Sequence, residues 1–145
     1  MQFVYTGQLP GFNALESLIA GAWVRKHQDE YDSVEFNVRL GKGIEVPAGS
    51  PDYLHKYAAA STTKRADLIA FAKDHATIVE VKARISPGAL GQLHVYGKLF
   101  PQQFPKVKDV RLVAAGQSIM PDLDQIFSDH SITIELFPNP YLSVQ

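Results

Sequence analysis

Cysteine is absent from this 145-residue chain. Disulfides, thiolate nucleophiles and sulfur-ligated zinc are therefore excluded, and any metal must be held by oxygen or imidazole. The chain also lacks the run of roughly twenty apolar residues that a membrane-spanning helix needs. Its opening stretch, MQFVYTGQLP, has neither the basic start nor the apolar middle of a secretory signal. The expected compartment is the cytoplasm, with no membrane partner. Charge of one sign is lacking too: the formal net charge is -1, which excludes a protein that coats nucleic acid by bulk positive charge. A nucleic-acid role would need a local basic surface. Lys56, Lys64, Arg65, Lys82, Arg84, Lys98, Lys106, Lys108 and Arg111 supply one in the middle of the chain, while Asp122, Asp124, Asp129 and Glu135 gather near its end.

What is present suits one folded domain over residues 1–145. The chain is 46% hydrophobic and 20% charged, a composition that can bury a core and is neither disordered nor membrane-like. Asn13 and Glu16 form an Asn-x-x-Glu variant of the capping box, and Leu15, Leu18, Ile19, Ala22 and Trp23 recur at helical spacing, so a first helix runs to about His27. SVEFNVRL alternates Val34, Phe36, Val38 and Leu40 with polar residues, the pattern of a half-buried strand. Residues 41–64 carry Gly, Pro and Ser breakers without a clean period, a stretch long enough to be functional or disordered.

RADLIAFAKD and ATIVEVKAR read as two strands of a tight hairpin. A two-residue loop at Asp74-His75 sets Ile69 opposite Glu80 and Asp67 opposite Lys82, so that Asp67, Glu80 and Lys82 share one face. A three-residue loop would put Asp67 on the other face. Ser86 and Pro87 then open a helix that Pro101 should stop, with Gly91 and Gly97 implying close packing against a neighbour. VKDVRLVAAG is a further strand, MPDLDQIFSDH a short helix, SITIELF a last strand and PNPYLSVQ a coil. The order is helix, three strands, helix, strand, helix, strand: an α/β chain, or α+β if the sheet is mainly antiparallel.

A glutamate and a lysine two apart inside an apolar strand have two readings. On an edge strand such a pair is a solvated feature that discourages aggregation. Beside Asp67 it is instead an oxygen-only site of the kind Mg2+ or Mn2+ accepts, with a lysine placed to hold an attacking water or to stabilise charge on a phosphate. His27, His55, His75, His94 and His130 lack paired-ligand spacing, and neither a nucleophile elbow nor a phosphate-binding loop occurs. Tyr53, His55, Lys56 and Tyr57 either grip a strand of nucleic acid or form a helix docked on the domain.

RADLIAF followed by TIVEVKAR resembles the D…E-x-K core of the PD-(D/E)XK nuclease superfamily, with Ala66-Asp67 in place of the usual Pro-Asp. Glu16 stands where family members carry a glutamate on the first helix. QLHVY matches the Gln-x-x-x-Tyr motif of RecB-type and related exonuclease members, and Gln92 and Tyr96, four apart, project from one helix face; alternatively Tyr96 is simply core. The resemblance spans Glu16 to about Gly116. It implies a restriction-endonuclease-like core, a mixed sheet flanked by helices, in which Asp67, Glu80 and the Val81 carbonyl bind Mg2+ or Mn2+ with Glu16 as a further ligand. Lys82 would orient the water, and Gln92 and Tyr96 would position the metal shell and the phosphate. Lys64, Arg65, Arg84 and Lys98 are the candidates for binding the DNA backbone. The implied activity is DNA cleavage in repair, recombination or phage DNA processing, and cutting both strands with one site per chain would call for a homodimer. The alternatives are a non-catalytic nucleic-acid-binding or assembly module on the same fold, and an RNA nuclease.

Overall fold

The computed structural model describes residues 1–43, 46–56 and 64–143. Asn13 caps α1 (Ala14–His27) as the sequence predicts: its side chain accepts the Glu16 N–H at 2.8 Å, and the Glu16 carboxylate accepts the Asn13 N–H at 3.2 Å. A short 3-10 turn (Gln28–Glu30) leads into β1 (Ser33–Leu40). β2 (Lys64–Phe71), β3 (His75–Ile85), α2 (Pro87–Gln103), β4 (Asp109–Ile119), α3 (Asp124–Asp129), β5 (Ile132–Leu136) and α4 (Pro140–Ser143) follow. Within the stretch read as a loop, residues 52–56 are helical. The C-terminal coil is in part the turn of α4, and Pro101 lies within the last turn of α2 rather than ending it.

The five strands form one sheet in the order β1-β2-β3-β4-β5, with β1, β2 and β3 antiparallel and β3, β4 and β5 parallel. The fold is thus mixed α/β, a five-stranded mixed sheet flanked by helices. One core, around Ile19, Trp23, Leu68, Val79, Val81 and Ala115, lies beneath α1; the other, around Ile69, Ile78, Leu93, Tyr96, Phe100 and Phe127, lies beneath α2. Among the described residues no helix is long and apolar enough to cross a membrane.

Two local departures from the sequence reading shape the molecule. The β2–β3 turn is Lys73-Asp74, because the Ala72 N–H bonds the His75 carbonyl at 2.9 Å. Moving a two-residue turn by one position shifts each cross-strand pair by two: Ile69 faces Ile78 rather than Glu80, and Phe71 faces Ala76. A two-residue shift preserves the faces, so Asp67 and Glu80 stay on the same side.

The second departure is at Asn37, whose φ of 55° is left-handed. Val34 and Phe36 pack into the α1-side core, but Val38 and Leu40 pack into the α2-side core. Strict alternation would have kept all four together. Asparagine tolerates this conformation better than most residues, and here it passes β1 from one face to the other.

Candidate acidic site between β2 and β3

The β2–β3 ladder runs from Phe71↔Ala76 to Leu68↔Val79. At the next position the Asp67 side chain takes over, its Oδ2 accepting the Val81 N–H at 2.8 Å. A main-chain donor that β2 would otherwise satisfy is thus bound by a carboxylate, which fixes that carboxylate between the two strands. Leu68 packs on the α1 side and Ala66 on the α2 side, so β2 changes face at Asp67 just as β1 does at Asn37.

Alternation along β3 sends Val79 and Val81 into the α1-side core and Ile78 toward α2, and hence Glu80 and Lys82 also toward α2; the alternation ends before Ile85, which packs into the α2-side core. Glu80 is 1% exposed. Among the described residues its Oε2 has no hydrogen-bond partner, and its Oε1 lies 3.8 Å from the Lys82 ammonium. Burial, chiefly, and the adjacent Asp67 carboxylate push the Glu80 carboxyl up to about 10, against the opposing pull of Lys82; the Glu16 charge adds to the rise. Near neutral pH Glu80 therefore holds a proton unless a cation replaces it.

Tyr96 reaches the same place from α2. Its hydroxyl is raised by burial and then by the Glu80 and Asp67 charges, while hydrogen bonding to Gln92 pulls the other way. Tyr96 is both core, at 5% exposure, and neighbour of the acid pair. Gln92 and Tyr96 also line an open cleft of about 360 Å³ together with Lys64, Gly88, Gly91 and Val95. A Cβ on Gly97 would meet Leu112, as expected of a close contact, whereas a Cβ on Gly91 would meet nothing within 4 Å among the described residues. Gly91 keeps the cleft open instead of packing a neighbour.

Asp67, Glu80, Lys82, Gln92 and Tyr96 thus come together, with the Val81 main chain tied to Asp67. Glu16 is near enough for its charge to act on Glu80, but its carboxylate is engaged in the α1 cap. Among the described residues no group of three or more Asp, Glu, His or Cys side chains is arranged to hold a metal ion. The donors that remain are two carboxylates, of which Glu80 carries an orphaned buried oxygen, and they suit a hard cation that keeps several waters. Lys64 is at the cleft, Arg84 lies exposed near the end of β3, and Arg65 is exposed beside Arg39 in the β1–β2 register. Lys98 lines a separate cavity with His94 and His130. Tyr53 is exposed in the 52–56 helical stretch, and Tyr57 lies outside the described residues.

Sequence reading missed a second polar cluster. His27 Nε2 lies 2.8 Å from a Glu135 carboxylate oxygen, and the His27 ring also contacts Glu30 and packs on Trp23. This ties the end of α1 to β5. A separation of 108 residues leaves no local pattern by which to find it. No protein-family model, no curated protein and no solved structure matches this chain.

Proposed function

We propose that the protein is a divalent-metal-dependent nuclease that hydrolyses phosphodiester bonds in DNA, built on a restriction-endonuclease-like core. The observation that carries this reading is Glu80: a carboxylate 1% exposed, with one oxygen lacking a donor among the described residues, placed beside a second carboxylate. Burying two acids side by side is costly unless a proton or a cation lies between them. A purely structural Glu80–Lys82 pair would not require Asp67 there.

Asp67 and Glu80 would hold Mg2+ or Mn2+, with the Val81 main chain fixing Asp67. When bound, the ion supplies charge that polarises the phosphate and acidifies water. The Lys82 ammonium lies 3.8 Å from the Glu80 carboxylate, and its side chain is 35% exposed. It can orient the attacking water and stabilise negative charge on the phosphate oxygens. The Tyr96 hydroxyl, itself bonded to Gln92, faces the Glu80 carboxyl from the α2 side, and Lys64 and Arg84 supply positive charge for the DNA backbone.

A second reading, a non-catalytic nucleic-acid-binding or assembly module, draws on the engagement of Glu16 in the helix cap, which leaves two acids rather than three. Incubation of purified protein with linear duplex, single-stranded and branched DNA in Mg2+, Mn2+ or EDTA separates the two. The nuclease reading expects cleavage that needs metal and is lost in Glu80→Ala. DNA retention without cleavage under every ion would favour the module.

A further inference from the structure

Among the described residues the sheet has two unpaired edges, β1 and β5, and they are treated differently. β1 carries exposed Glu35 and Arg39 and is broken by the left-handed Asn37. Charges and irregularities of this kind discourage a strand from pairing with another chain. β5, Ile132–Leu136, contains no proline, glycine, lysine or arginine. Its one charge, Glu135, is already bound by Lys26 at 3.5 Å and His27 at 2.8 Å within the same chain.

The hydrogen-bonding sense of β5 follows from one contact. The Phe137 N–H bonds the Gly116 carbonyl of β4 at 2.8 Å. Alternation then directs the main chain of Thr133 and Glu135 toward β4, and that of Ile132, Ile134 and Leu136 outward. The outward residues are all apolar. Leu136 is 44% exposed, and Ile126 of the adjacent α3 is 47% exposed.

We propose that β5 is a dimerisation edge that pairs antiparallel with β5 of a second copy about a two-fold axis at Ile134, making one continuous sheet. In that register Ile134 meets its own copy and Leu136 meets Ile132 of the second copy, each pair exchanging two main-chain bonds. Exposed Leu136 gains an apolar neighbour, and the partly buried Ile134 extends the α2-side core across the axis. Glu135 falls opposite Thr133 of the second copy. Centring the axis on Glu135 instead would set two carboxylates face to face, so the charge disfavours that register. A two-fold is the arrangement in which one edge is its own complement.

The test is light scattering after size exclusion, from micromolar to sub-millimolar protein, on wild type and Leu136→Pro. Proline here removes an outward N–H and spares the bonds to β4, as edge strands tolerate. Wild type should dimerise, and Leu136→Pro should weaken association about tenfold or more, since symmetry removes two bonds at once. If circular dichroism shows Leu136→Pro unfolded, Leu136→Lys keeps the backbone and should weaken the dimer similarly. Because the chain has no cysteine, a spin label on Thr133→Cys reads the geometry, and the paired register places the two labels within about 20 Å. A wild type monomeric throughout, including one whose β5 captures an extended peptide instead, would overturn the proposal. So would a dimer indifferent to both Leu136 variants, or labels farther apart than about 30 Å.

Discussion

Asp67 accepts the Val81 N–H at 2.8 Å and at the same time confronts the carboxyl of Glu80. One side chain thus closes a gap in the sheet and creates an electrostatic problem beside it. A proton resolves the problem in the metal-free chain, and a cation would resolve it in the working one. Four expectations follow from this pair and its surroundings.

The first concerns stability in EDTA. Glu80 has its carboxyl raised from 4.5 to about 10 in the folded chain. Between those values the folded state holds a proton that the unfolded state has lost. This contribution is complete below 4.5 and declines as pH rises toward 10. Wild type should therefore melt lower at pH 9 than at pH 6, and Glu80→Gln, which mimics the neutral acid, should flatten that slope. At pH 9 the variant should melt above wild type, by about 2–4 °C for each kcal/mol relieved. Parallel profiles in a thermal-shift series would count against the buried acid pair.

A second expectation separates the two roles of Tyr96. Tyr96→Phe keeps the buried ring, so the melting temperature should move little. The hydroxyl that faces Glu80 and Gln92 is lost. A hydrogen bond to a charged group is worth about 1.5–3 kcal/mol, so cleavage should fall about ten- to a hundredfold. Unchanged single-turnover rates would leave Tyr96 as packing alone.

Glu16 gives a third. Its carboxylate caps α1, where glutamine can make the same bond. Glu16→Gln should preserve stability and lower metal affinity severalfold through the loss of a nearby charge. Asn13→Ala should do the reverse, costing about 1 kcal/mol of stability with metal binding intact. Denaturant melts and Mn2+ titrations on the two variants check both halves, and equal metal affinity in all three proteins would remove Glu16 from the site.

Much of the scaffold was legible in the sequence because its signals are local. The Asn13–Glu16 box, the period of α1 and the apolar run of β3 each specify an element by themselves. The hairpin turn was misplaced by one residue, yet the shared face of Asp67 and Glu80 survived because side chains alternate with period two. What failed was non-local or conformational. The left-handed Asn37 reverses the faces of β1 without altering its hydrophobic pattern, and the contact of His27 with Glu135 joins residues 108 apart. Lys98 follows Gln92 and Tyr96 on the same helix but lines a different cavity.

The measurement that bears most directly on the acid pair is calorimetric titration of the protein with Mn2+ near pH 7.5, in two buffers of different ionisation enthalpy. If Asp67 and Glu80 exchange a shared proton for a cation, binding should release about one proton, and both binding and release should be lost in Glu80→Gln. Absence of binding, or binding that releases no proton and survives in Glu80→Gln, would contradict the account.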